Sequence, residues 1–292
     1  MTEHAPLRTA PDPAHGHAHG PGHGLEEELA HLLDLDAATS GRTWEEVIAW
    51  AVQHVQGGPL RIVDLGAGTG TGALTLARFF TTAEVVAVDR SAGMLDRVQG
   101  AARAQGLEGR VHALPADLGP DLGAARSAVS GADLVWSSSF LHEVADPGAL
   151  LAELRAALRP GALLVVVELD GLPRFLPDDL GIGRPGLEDR CHRVLADAGW
   201  NAHPDWRPLL EQSGFEVHGP HTVSTAAAQD PAAIARYARA WIAHLRPALQ
   251  GRLAAEDLAV LDRLLTPDAP EALPNRRDLE LRTARTVWAA RA

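Results

Sequence analysis

From residue 61 onward the chain alternates short apolar runs with longer amphipathic stretches. Runs at 61–65, 84–88, 111–114, 134–136 and 163–168 are rich in Val, Leu and Ile and lack strict in-and-out alternation. Parallel strands covered by helices on both faces have this pattern, and their crossovers are right-handed, so the middle of the chain reads as β-α-β-α-β. Helical spacing fills the gaps, notably over 73–79 and 150–158. Arg159-Pro160-Gly161 stops the second of these, because proline cannot continue a helix and glycine tolerates the exit conformation.

The flanks carry different patterns. Leu29, Leu32, Leu33, Val47, Ile48 and Val52 recur at helical spacing, which predicts two short helices over 25–55 ahead of the sheet. Residues 171–204, rich in Pro, Gly, Asp and His, are too long for an ordinary connection and predict a lid or substrate segment with a helix over 187–198. A helix at 206–212, closed by Gly214, leads to a strand at 215–224; 230–265 reads as a helical insertion and 282–290 as a last strand. The first 24 residues, with a His/Gly tract at 15–24, lack periodicity and predict a disordered, solvated tail in which nothing fixes a metal-coordination geometry. The expected organisation is a tail (1–24), an N-terminal helical cap (25–58), a nucleoside-binding core (59–170), a lid (171–204) and the end of the sheet with an insertion near 230–265 (205–292).

Composition narrows the chemistry. At 292 residues and 46% hydrophobic the chain can bury a substantial core. The lone Cys191 excludes an internal disulfide and any thiolate-cluster metal site. A formal charge of −12 works against nucleic acid, where affinity comes from Lys and Arg neutralising phosphates, and favours a small molecule or peptide as substrate. No apolar run reaches the roughly 18 residues that span a bilayer, and the N-terminus lacks a secretory pattern, so a cytoplasmic protein without a membrane partner is expected.

The chemistry centres on Val63-Asp64-Leu65-Gly66-Ala67-Gly68-Thr69-Gly70-Thr71-Gly72, where the first strand gives way to a helix. Glycines there permit a tight turn and close approach of a ligand to the backbone, and the helix start offers free N–H groups. On the dinucleotide pattern G-x-G-x-x-G the third glycine would fall on Thr71; the spacing is G-x-G-x-G instead. About 20 residues on, Asp89 ends the second strand in Asp89-Arg90-Ser91-Ala92-Gly93-Met94-Leu95, placed to accept ribose hydroxyls, and Asp117-Leu118 follows the third strand. With the segment from Asp133 to Val144 and the Arg-Pro-Gly stop at Gly161, where Ala162 replaces a usual second glycine, residues 61–168 resemble class I S-adenosylmethionine (SAM)-dependent methyltransferases of the ubiquinone/menaquinone and natural-product type.

That resemblance implies an α/β, Rossmann-like, seven-stranded, mostly parallel sheet with N-terminal helices and helical insertions forming a substrate cap. It implies SAM as cofactor, with S-adenosylhomocysteine as product, held by Asp64, Gly66, Ala67, Gly68, Gly70, Asp89, Arg90, Met94, Asp117, Leu118 and Ser137. The acceptor expected is an O or N atom of a small molecule or modified peptide, with a carboxylate as one case, in specialised metabolism. A hydroxyl or ammonium acceptor needs a general base, and His142, just past the fourth strand, is the candidate, ahead of Glu143, His192, His203 and His221. Trp136, Phe140 and the lid are candidates for shielding the site, Trp136 also for core packing. Arsenic methylation is excluded by the single cysteine. The competing readings are an NAD-dependent oxidoreductase, disfavoured by Thr71 and Asp117, and a non-catalytic SAM-binding module. The helical appendages either pair two chains or close one pocket.

Overall fold

The computed structural model describes residues 22–58, 61–200, 205–225 and 230–292. Seven strands form one sheet: β1 (Arg61–Leu65), β2 (Glu84–Asp89), β3 (Val111–Pro115), β4 (Leu134–Ser138), β5 (Leu163–Leu169), β6 (Glu216–Ser224) and β7 (Ala284–Arg291). Their order is β3-β2-β1-β4-β5-β7-β6. The first five are parallel, and β7 runs antiparallel between β5 and β6. The order reverses between β1 and β4, so the connections leave on opposite faces there and open a crevice beyond the carboxyl ends of the strands.

Among the described residues there are ten α-helices: α1 (Gly22–Thr39), α2 (Gly41–Val52), α3 (Thr71–Phe79), α4 (Ala92–Ala104), α5 (Arg126–Ser130), α6 (Pro147–Ala157), α7 (Leu187–Asp197), α8 (Arg207–Gln212), α9 (Pro231–Leu249) and α10 (Ala255–Leu265). One face of the sheet packs on α2, α3 and α4 through Trp44, Ile48, Leu76 and Val98. The other packs on α5, α6 and α8 through Val129, Leu150, Leu154 and Leu210. Coverage on both faces explains why β5 reads Leu-Leu-Val-Val-Val-Glu-Leu with its first six residues buried. A third core, formed by α1, α7, α9 and α10 around Phe175, Tyr237 and Leu261, makes a cap.

Local chemistry sets the boundaries. Ser91 accepts from the Met94 amide to cap α4, Asp146 from Ala149 to cap α6, and Asp230 from Ala232 to cap α9. In the cap, the buried Glu188 carboxyl accepts from the Phe175 and Leu176 amides, and buried Asp257 is gripped by Arg190 through two hydrogen bonds of 2.8 Å. These contacts pin much of the expected lid segment into the cap core.

Several expectations need correction. Helix α1 has 18 residues and begins at Gly22, so it takes in the last three residues of the tract expected to be disordered; residues 1–21 lie outside the described ones. The helical insertion is two helices, α9 and α10, separated at the left-handed Gly251. The last strand starts at Ala284, and Arg282 contributes only an isolated bridge to Arg174. Among the described residues no helix is long and apolar enough to cross a membrane.

Leu164, fully buried in the interior strand β5, is a direct test of this packing. Leu164→Ala should lower unfolding free energy by about 2–5 kcal/mol with an unchanged denaturant slope, measured by urea titration.

Candidate active site

The glycine loop is shaped by left-handed backbone. Gly66, Gly68 and Gly70 have φ of 68°, 53° and 95°, a region costly for residues with a Cβ. Space is also short: a Cβ on Gly66 would collide with the Phe140 ring, and one on Gly72 would lie 2.7 Å from Asp64 Oδ2. The loop is tied sideways to β2, because the Ala67 amide donates to the Val88 carbonyl and the Gly68 amide to Asp89 Oδ2, each at 2.9 Å. Asp89 Oδ1 accepts from the Ser91 amide at 2.9 Å, and the Asp89 carbonyl from Ala116 at 3.0 Å. The acid at the end of β2 is thus fixed against the loops after β1 and β3, and each carboxylate oxygen keeps lone-pair capacity for a ligand hydroxyl.

The structure brings most of the predicted residues to this edge. Ala67 and Ser137 are buried beside the loop strands, Asp117 is exposed after β3, and Arg90 is exposed after Asp89. Met94 and Leu118 are buried in the packing beneath. Asp64 Oδ2 and Ser137 Oγ are buried without a hydrogen-bond partner among the described residues. Burial pushes the Asp64 carboxyl up to about 7, against a hydrogen bond from the Ala73 amide that lowers it and with nearby Asp89 raising it further. A buried acid with a spare oxygen suits a cationic ligand, which would draw it back to the ionised form. The glycine cradle, Asp89 and these orphaned polar atoms together fit SAM, which carries ribose hydroxyls, an ammonium and a sulfonium.

His142 follows β4, as its sequence position implies. It lies in the 3₁₀ turn Leu141–Glu143, its side chain 28% exposed, with Nδ1 2.8 Å from Glu168 Oε2 and Nε2 3.3 Å from Glu143 Oε1. Glu168, 2% exposed at the end of β5, also accepts from the Phe140 and Leu141 amides through Oε1. Desolvation alone would lower the His142 pKa, but hydrogen bonds and charge from Glu143 and Glu168 outweigh it and raise the value to about 10. Both ring nitrogens thus face carboxylates that favour the charged imidazolium, a form that accepts no proton. Ser139, at the end of β4, is held at φ 50°, the kind of strain that collects at functional edges.

The other candidates are elsewhere. His192 belongs to α7 in the cap, where burial lowers its pKa to about 4. His221 stacks on Trp50 at 5.1 Å on the outer strand β6, four strands from β1. His203 lies outside the described residues. Trp136 is fully buried and tilts against Trp44 at 6.3 Å, a core residue, while Phe140 lies over Gly66 at the loop.

Three features were missed in the sequence. Glu168 ends an apolar strand, and Arg285 sits inside one; a charged residue in such a run is the signal that was available. Helix α1 also crosses the loop: Leu33 reaches within 3.0 Å of a Cβ position on Gly68, Ser91 Oγ donates to Glu26, and Arg97 pairs with Glu27 and Asp34.

Residues 62–161 match the family model described as a methyltransferase domain. Residues 62–161 thus carry a SAM-dependent methyltransferase domain. Its relatives include a malonyl-[acyl-carrier protein] O-methyltransferase of Laribacter hongkongensis, 34% identical over 123 residues (42% of this chain, 41% of that one). A trans-aconitate 2-methyltransferase of Pseudomonas aeruginosa is 33% identical over 149 residues (46% and 50%). A tRNA 5-carboxymethoxyuridine methyltransferase of Escherichia coli is 33% identical over 167 residues (55% and 61%). The methyltransferase domain thus accounts for the likeness, and the chain spans between 41% and 61% of these relatives. A crystal structure of a candidate sarcosine dimethylglycine methyltransferase from Galdieria sulphuraria shares the fold, with a TM-score of 0.51 at 17% identity over 86% of each chain.

The His142 pair has a pH signature. Its folded pKa lies above the unfolded value near 6.5, so the stabilisation is complete below that value and is lost as pH rises through about 10. The stability gap between wild type and His142→Gln, from denaturant titrations, should be widest near pH 6 and shrink towards pH 10. A gap that stays constant would show a neutral ring in the native state.

Proposed function

We propose that this chain methylates a carboxylate oxygen of a small acidic molecule, using SAM. The observation that carries the reading is the placement of His142 between Glu168 and Glu143, which engages both ring nitrogens and favours the charged ring, a form that accepts no proton. A carboxylate needs no base, since it is already ionised at neutral pH, whereas a hydroxyl or ammonium must lose a proton. The acceptors in the relatives' names, malonyl-[acyl-carrier protein], trans-aconitate and 5-carboxymethoxyuridine, all carry carboxyl groups. The net charge of −12 favours a free acid over tRNA as acceptor.

SAM supplies an electrophilic methyl on a sulfonium, and the positive charge disappears as the methyl leaves. The chain's own work is placement. Asp89 and the exposed Asp117 are set to take the ribose and adenine, with Arg90, Met94 and Leu118 around them. Gly66, Ala67, Gly68 and Gly70 let the ligand reach the backbone, with Asp64 and Ser137 beneath. Phe140 and α1 cover the loop and keep water from the reacting atoms. Lining up the nucleophile with the methyl carbon then supplies most of the rate.

Calorimetry should detect SAM binding and no NAD binding, and Asp89→Ala should weaken SAM about tenfold or more, the loss expected when a charged hydrogen-bond acceptor is removed. NAD binding without SAM would contradict the reading. SAM-dependent methylation of a carboxylic acid should also run at a rate that is flat between pH 6 and 8.5. A rate that falls along a single ionisation near pH 6.5 would instead restore a histidine base.

A further inference from the structure

Beyond the cofactor loop, one buried cation is unused by the proposed chemistry. Arg285 is 1% exposed, near the start of β7, among residues that are otherwise apolar or small. In register it lies opposite Leu169 at the carboxyl end of β5 and opposite Val223 of β6. Because β7 is antiparallel, its first residues fall at the same sheet edge as the carboxyl ends of β1 and β4. Two strand spacings of about 4.8 Å separate β7 from β4, so Arg285 is displaced sideways by about 10 Å from the edge where His142 and Phe140 sit.

Its surroundings hold it rather than satisfy it. The guanidinium lies over the Trp44 ring at 4.6 Å and donates through Nη2 to Asp36 of α1, whose other oxygen accepts from Tyr237 of α9 at 3.3 Å. Arg285 Nε is buried and has no hydrogen-bond partner among the described residues. Thr283, just ahead of β7, likewise has a buried Oγ1 without a partner among them. An unmatched N–H on a buried guanidinium costs stability unless a ligand completes it, and a planar fork next to a hydroxyl matches a carboxylate. Helices from both ends of the chain, α1 and α9, converge here, so the group lies under the cap rather than in the cofactor loop.

We propose that Arg285 anchors a second carboxylate of the methyl acceptor, so that the acceptor is a di-acid: one carboxylate is methylated near β4 and the other is held under the cap. This rests on the carboxylate-methylating function proposed above and adds the substrate class. Asp36 and Trp44 position the guanidinium, and Thr283 adds a hydroxyl to the anchor. The rule selects di-acids over mono-acids of equal length, because without the second carboxylate the buried donors remain unpaired.

The test uses the full chain with S-adenosylhomocysteine present, and calorimetry with succinate, glutarate, adipate and suberate as probes and hexanoate as the mono-acid control. At least one di-acid should bind about tenfold or more tightly than hexanoate. Arg285→Lys keeps a charge for Asp36 but loses the planar fork, and should weaken that di-acid about tenfold while SAM affinity stays within about twofold. The pair Asp36→Asn with Arg285→Gln, which leaves no lone buried charge, should do the same, with thermal melts reporting that both proteins are folded. Absence of di-acid binding, unchanged di-acid affinity in both variants, or a parallel loss of SAM binding in them would overturn the anchor. Failure of the wild-type protein to bind SAM would instead overturn the methyltransferase reading, so the two failures are distinguishable.

Discussion

The hydrogen bond from the Gly68 amide to the Asp89 carboxylate joins the loop after β1 to the end of β2, and the rest of the edge is arranged around it. It can form only because Gly66 and Gly68 take left-handed backbone, which brings the loop across β2 and leaves its face open to a ligand. From that point the strand ends are stitched in sequence: Ala116 to Asp89, Ser139 to Val167, and Phe140 and Leu141 to Glu168. A sheet held by packed helices on both faces can place this edge rigidly.

Charge buried at this edge is managed in three ways. Asp64 is pushed towards neutrality by burial, His142 is kept cationic by two carboxylates, and Arg285 is neutralised by Asp36. A buried charge left alone is costly, so these partnerships decide what each group can do. The consequence for mechanism is specific: a histidine whose ring is tied to two carboxylates at the β4 edge is poorly suited to take a proton, which favours an acceptor that arrives ionised.

Much of the fold was legible because its signals are local. Apolar runs such as Leu163 to Val167 mark buried strands, and the spacing of Gly66, Gly68 and Gly70 marks the loop, within a few residues each. The role of His142 was not legible, because it depends on Glu168, 26 residues later in sequence and adjacent only after β4 and β5 pair. Arg285 was less so: its partner Asp36 is 249 residues away, on a helix whose own pattern says nothing about what it covers. The cap was misjudged for a related reason, since Gly22 to Gly24 read as tail but join α1, an 18-residue helix that packs across the loop.

The most direct measurement of the central claim is a crystal structure of the chain with S-adenosylhomocysteine. The account predicts the ribose hydroxyls on Asp89, the adenine towards Asp117 and the amino-acid end against Gly66 to Gly68 near Asp64, with Leu33 moved off Gly68. A ligand bound elsewhere, or a loop still covered by Leu33 with Asp89 untouched, would contradict it.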